Sequence, residues 1–219
     1  MSAGFSQNQR STGGHRPPVQ QTKTALRQFC NTLKSAGELP LQFAYLAGIA
    51  ALTEIPNRRF YYERLLQEIA RARRSSSPLT LALVDLDRFK QINDDVGRRG
   101  GDQVLKFFSQ FIRVNLRQED IVCRIGGDEF AIILPDTNVD NAAAFFEIRS
   151  KLNQVEISID RRSSRRLSFS CGLAVFRSEY LPEDLIEEAD HSLYSAKAGG
   201  RNRVVSARTA PSLVSQSVH

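Results

Sequence analysis

The run "CRIGGDEFAIILP", Cys123 to Pro135, limits what this chain can fold into more than any other stretch. Its flanks read as strands: Ile121, Cys123 and Ile125 alternate on one side, and "FAIIL" is apolar and rich in strand formers. Two glycines between strands mark a tight hairpin, a place for positive φ or a close backbone approach. A structural turn is satisfied by Gly-Gly or Asn-Gly alone. It does not need Asp128 and Glu129 side by side, because adjacent carboxylates repel and burial disfavours their charge. The hairpin is therefore expected to face something cationic or phosphorylated.

Helices and strands alternate around this hairpin. "PLTLALVDLD" is an apolar strand, followed by a short helix or turn over "RFKQINDDVG". Gly101 to Leu116 places Val104, Leu105, Phe108, Phe111 and Ile112 at helical spacing. Beyond the hairpin come a helix over Val139 to Leu152, a strand in "RLSFSCGLAVF", a helix in "PEDLIEEADHSLYSAKA" opened by proline and acids, and a last strand, "RVVSA". Upstream, helices are expected over Thr24 to Ala36, then to about Leu52, and after the turn "TEIPNRR" from Arg58 to Arg74. At least one hairpin is antiparallel, so the fold class is α/β (α+β) with a mixed, largely antiparallel sheet.

Composition excludes several function classes. The net charge of +6 comes largely from "RARRSSS" and "RRSSRR", which read as solvated faces or loop tips rather than a nucleic-acid surface. Cys30, Cys123 and Cys171 form no CxxC pair, and the latter two sit in apolar strand patterns as small hydrophobes. That usage suggests a cytoplasmic protein. Three widely spaced histidines offer no zinc-ligand pattern. The opening "MSAGFSQNQRSTGGHRPPVQQ" has no apolar core for a secretory signal and reads as disordered. "LQFAYLAGIAAL" is shorter than the roughly 20 residues a membrane span needs, and reads as a helix on a core or a partner.

Asp85 and Asp87 stand at the carboxyl end of an apolar strand and share a face by the period of two. Taken alone, Asp87 reads as a helix N-cap. Beside Asp128 and Glu129 on a neighbouring hairpin, these acids supply the hard oxygen donors that Mg²⁺ takes together with substrate phosphates. Such a site activates a hydroxyl and stabilises leaving pyrophosphate. Lys197 and Arg201, one helical turn apart in "AKAGGRN", either answer the helix dipole or hold terminal phosphates.

Taken together, "GGDEF", "DLDRFKQIND", "GGDQVL" and "SLYSAKAGGRNRVV" resemble the GGDEF-domain diguanylate cyclases, over about Ala50 to Ser206. The resemblance implies a central sheet wrapped by helices, akin to nucleotidyl cyclases and polymerase palms. It also implies that two GTP molecules condense to cyclic di-GMP between paired domains of a homodimer. The implied organisation is a disordered tail 1–23, a helical stalk or docking segment 24–49 for a sensor or regulator, the domain 50–206, and a flexible tail 207–219. Site roles follow from the same resemblance. Gly126 and Gly127 let the backbone approach the GTP phosphates. Asp85, Asp128 and the Leu86 carbonyl hold Mg²⁺ or Mn²⁺, and Glu129 assists at the metal or the attacking hydroxyl. Phe89 and Lys90 meet phosphate through backbone amides, with Lys197 and Arg201 on the terminal phosphates. Asn93 and Asp102 read guanine, whose N1–H and amino donors adenine lacks. Leu52 and Leu105 wall the base. "RQED" sets Arg117 and Asp120 as the RxxD product site. A non-catalytic receptor that binds cyclic di-GMP through that pair is the alternative, and a cyclase with another base preference a second.

"AALTEIPNRR" departs from the family's usual Asp-x-Leu-Thr-Gly-Leu-Pro-Asn-Arg stretch, with Ala50 for the acid and Glu54 for the glycine. If Glu54 takes positive φ, it stores about 1–3 kcal/mol of strain.

Overall fold

The computed structural model describes residues 48–150, 156–158 and 164–207. The helix expected over Thr24 to Ala36, the tail 1–23 and residues 208–219 lie outside them. Five strands, β1 (Leu79–Leu86), β2 (Ile121–Arg124), β3 (Glu129–Pro135), β6 (Phe169–Val175) and β7 (Val204–Ser206), form one sheet. Its order is β2-β3-β1-β6-β7. The first three pairings are antiparallel and β6-β7 is parallel, the mixed sheet expected. β4 (Glu156–Ser158) and β5 (Ser164–Arg166) make a separate antiparallel pair.

The period of two decides which residues meet which helices. Val84 and Leu86, Phe130 and Ile132, Phe169 and Cys171 share one face and join a buried cluster with α2 (Phe89–Asn115) and α3 (Val139–Ser150). The apolar stripe of α2 supplies Val104, Leu105, Phe108 and Ile112. Phe108 is fully buried, its ring centroid 5.0 Å from Phe130 and 5.7 Å from Phe169. On the opposite face lie α1 (Arg58–Ser75), with Leu65 and Ile69, and α4 (Pro182–Ala198), with Leu185, Ala189 and Leu193. A Cβ on Gly172 would lie 2.1 Å from the main-chain nitrogen of Leu193, so the α4 backbone rests directly on β6 there. β2 departs from the expected alternation: Val122 and Cys123 are both buried.

One local expectation is corrected and another is met. The helix expected to reach Leu52 does not extend into the described residues. Gly48 is in a turn, Ile49 bridges Pro56, and Ala50 exchanges main-chain bonds with Thr53, Glu54 and Ile55. Those bonds draw Glu54 to φ 58, so the strain foreseen for a non-glycine residue is present. The other, a short helix over "RFKQINDDVG" and a second helix from about Gly101, is met: α2 is two helices joined across a kink, the second beginning shortly before Gly101. The kink is at Gly97, whose φ of 71 and ψ of 171 interrupt the helix.

Candidate active site

The register of β1 brings the acids together. Asp85 is directly opposite Glu129 on β3 and opposite Ser170 on β6. Like charges facing each other across an antiparallel ladder are destabilising, so this end of the sheet is built around a cation. Asp85 shares the face of Leu81 and Leu83, the face that α4 covers. In the last turn of α4, Lys197 reaches it, with Nζ 2.5 Å from Asp85 Oδ2. Burial pushes the Asp85 carboxyl up to about 6; Lys197 pulls the other way, and the charges of Asp128 and Glu129 push further up.

The hairpin is tied to the same strand end. The Leu86 N–H donates to the Asp128 carbonyl at 3.2 Å, and the N–H groups of Ile125 and Gly126 donate to the Glu129 carbonyl. Neither Gly126 nor Gly127 has positive φ, unlike Gly97 and Gly200. Close approach is the operative reason at Gly126, where a Cβ would stand 2.7 Å from Glu129 Oε2. At Gly127 a Cβ would meet nothing within 4 Å, which leaves space above the turn.

Asp85, Asp128 and the main chain of Leu86 are oxygen donors of the kind a hard divalent cation takes, so their chemistry fits Mg²⁺ or Mn²⁺. No three acidic, histidine or cysteine side chains close into a ligand cluster among the described residues. The Lys197 ammonium lies against the Asp85 carboxylate oxygen.

A second group lies along α2. A Cβ on Gly101 would stand 1.8 Å from Asn93 Oδ1 and 3.3 Å from Phe89 Cζ, so the bare glycine is what lets these side chains lie next to Asp102. Asp102 and Lys90 are exposed, and Leu105 is buried in the core. Half-buried Leu52 packs on that core and lines a groove of about 550 Å³ with Thr53, Lys106 and Arg113. Arg201 is exposed at φ 66, just beyond α4. Arg117 and Asp120 close a turn before β2: the Arg117 N–H donates to Asp120 Oδ2 at 2.9 Å and the Asp120 N–H to the Arg117 carbonyl at 3.2 Å. Burial raises the Asp120 carboxyl, against the Arg117 hydrogen bond. Its Oδ1 is buried and takes no hydrogen bond among the described residues.

Two roles escaped the sequence. Arg124, the last residue of β2, donates from Nε and Nη2 to the Gly127 carbonyl at 3.1 and 2.7 Å. Burial lowers its pKa, while Asp102 and Asp128 both raise it, so it links the α2 group to the hairpin electrostatically. The available signal was a lone cation in the apolar run "IVCRI", immediately before the glycines. The other is Asp87, which is no helix cap. The N-cap of α2 is Arg88, which makes no side-chain cap, and Asp87 accepts instead from Ser168, Ser170 and Asn202.

The family sequence model "Diguanylate cyclase, GGDEF domain" matches residues 47–203, most of the chain. The chain belongs to the GGDEF domain family. Its GGDEF domain is 40% identical over 158 residues to diguanylate cyclase DosC of Escherichia coli K12, covering 72% of this chain and 34% of that protein. It is 37% identical over 163 residues to response regulator PleD of Caulobacter vibrioides, covering 73% and 36%. The chain thus spans about a third of the length of these curated relatives. Among solved structures, the GGDEF domain of DgcB from Caulobacter crescentus, in complex with c-di-GMP, superposes with a TM-score of 0.70 at 31% identity, covering 74% of this chain and 93% of that one. Diguanylate cyclase SiaD from Pseudomonas aeruginosa, solved with its activator SiaC, gives 0.71 at 29% identity, covering 86% and 70%. No helix among the described residues is long and apolar enough to cross a membrane.

Proposed function

We propose that the chain is a diguanylate cyclase that condenses two GTP molecules into cyclic di-GMP and two pyrophosphates. The observation that carries this reading is the face-to-face placement of Asp85 and Glu129, with Asp128 on the adjoining hairpin and Lys197 at hand. A receptor that only binds product has no use for opposed acids, which cost stability. Each GTP offers its 3′-oxygen to the α-phosphorus of the other; one phosphoester bond forms, the bond to pyrophosphate breaks, and Glu129 takes the hydroxyl proton. One domain holds one GTP, so a homodimer is required. Asn93 and Asp102 accept guanine's donors, Leu52 and Leu105 wall the base, the Phe89 and Lys90 amides meet phosphate, and Lys197 and Arg201 neutralise its terminal groups. Asp85, Asp128 and the Leu86 carbonyl would hold Mg²⁺ or Mn²⁺. That ion would supply Lewis-acid polarisation and charge for the leaving group. Incubation with GTP and Mg²⁺ followed by nucleotide chromatography tests the reading; GTP left intact in the dimeric protein refutes it.

Product feedback at Arg117 and Asp120 is the second part of this proposal, supported by the turn that ties these two residues together just before β2. β2 joins that turn directly to the hairpin. Added cyclic di-GMP should slow the wild-type enzyme, and Arg117→Ala should abolish that slowing. A regulator's docking is assigned to the segment 24–49, and the site of action to the cytoplasm.

Two expected outcomes follow from the geometry. Divalent-cation affinity, read by electron paramagnetic resonance of Mn²⁺ without nucleotide, should be full above the Asp85 value of about 6. Below it, the affinity should fall by roughly tenfold per pH unit, because the metal takes only the carboxylate. The sign for stability is opposite. A carboxyl raised in the fold favours folding most below its unfolded value near 3.8, and that contribution is lost as pH rises through about 6. Metal affinity flat from pH 5 to 8 would count against Asp85 as a ligand. The second outcome concerns Gly101→Ala. The clashing atom is the tip of Asn93, which can swing away, so melting should hardly change. Losing the Asn93 hydrogen bond should raise the KM for GTP roughly tenfold. An unchanged KM would show that Asn93 does not touch the nucleotide.

A further inference from the structure

We propose that Asp87 is a positioning residue for the triphosphate: it holds the Arg201–Asn202 turn in the shape that presents Arg201. This rests on the reading above that the turn meets phosphate. Asp87 is only 6% exposed, yet its carboxylate is surrounded by donors. Oδ2 accepts from Ser168 Oγ at 2.8 Å and from the Asn202 main-chain N–H at 2.9 Å, and Oδ1 accepts from Ser170 Oγ at 2.7 Å. Its own N–H donates to the Ser168 carbonyl at 2.9 Å, which fixes the residue against the entry to β6.

The turn it grips is strained. Arg201 at φ 66 and Asn202 at φ 47 are consecutive non-glycine residues in the left-handed region, which disfavours Arg201 by about 1–2 kcal/mol and the more tolerant Asn202 by less. Such a conformation persists only where its surroundings over-determine it. The Arg201 N–H donates to the Ala196 carbonyl at 3.1 Å, and the Cys171 N–H to the Arg203 carbonyl at 2.9 Å, so helix and sheet hold the two ends. Asp87 takes the N–H between them. An ionised carboxylate receives all three donors, whereas an amide presents an NH₂ to at least one of them. Charge-assisted bonds of this kind are the strong ones. The carboxyl end of β1 and the residue after it thereby set both sides of the site: Asp85 faces Lys197, and Asp87 sets the turn that carries Arg201.

The test compares wild type, Asp87→Asn and Arg201→Ala by calorimetry with Mg²⁺. The probes are 3′-deoxy-GTP, which lacks the attacking hydroxyl, and GMP, which lacks the terminal phosphates. Both variants should bind the triphosphate about tenfold more weakly, with GMP affinity unchanged. A loss for Arg201→Ala but none for Asp87→Asn overturns the positioning role while the phosphate reading stands. No loss for Arg201→Ala removes the phosphate reading, and this proposal with it. An equal loss of both nucleotides in Asp87→Asn would assign the residue to general structure and also overturn the proposal. If Asp87→Asn does not fold, Ser168→Ala replaces it, since it removes one orienting donor and leaves the carboxylate. It should show a smaller loss confined to the triphosphate, and an unaltered preference for triphosphate over GMP would overturn the proposal.

Discussion

Asp128→Asn is expected to lower the rate of cyclic di-GMP formation by roughly a thousandfold or more, the several kcal/mol that metal-assisted charge stabilisation contributes. The fold should survive, because it is the main-chain carbonyl of Asp128 that anchors the hairpin to Leu86. Its side chain belongs to no apolar cluster. A second readout separates lost chemistry from lost structure. The charge of Asp128 helps to raise the Asp85 carboxyl, so in the variant that group should titrate lower, which nuclear magnetic resonance of labelled carboxyls can follow. Near wild-type turnover with an unaltered Mg²⁺ requirement would remove Asp128 from the site.

Gly172→Ala should be the most damaging small substitution. The new methyl would lie 2.1 Å from the Leu193 nitrogen and 2.3 Å from the Ala189 carbonyl oxygen. Both are helix backbone, which cannot rotate away as a side-chain tip can, so α4 must lift off β6. Overpacking of this kind costs about 1–3 kcal/mol or more, and rigid backbone on both sides puts this case at the upper end. In a domain of this size that lowers Tm by roughly 6–12 °C. Activity should fall further than stability explains, since the same helix carries Lys197 to Asp85. Melting and turnover on one preparation check both parts. A variant that melts within a degree of wild type would show that the helix accommodates the methyl.

Much of the fold was legible because its signals are local. The heptad-like stripe of Val104, Leu105, Phe108 and Ile112 announces a helix, and Leu79 to Leu86 a buried strand. Misreadings came where tertiary contact overrode such signals. "GIAAL" reads as a helix end, but a bridge from Ile49 to Pro56 turns the chain instead.

The amino-acid order by itself determined the glycine hairpin with its paired acids, the alternation that points Asp85 and Asp87 to one face, and the family. These depend on neighbours within a few residues and on motif spacing, which a linear string contains. Only the tertiary structure decided which charges meet: Glu129 opposite Asp85, Lys197 on Asp85, Arg124 on the Gly127 carbonyl, and Asp87 on the Asn202 N–H rather than on a helix. Strand register and helix docking set those distances. Electrostatic and hydrogen-bond energies are steep in distance, so a role shared by residues 115 positions apart, as Asp87 and Asn202 are, comes into being only when the sheet assembles.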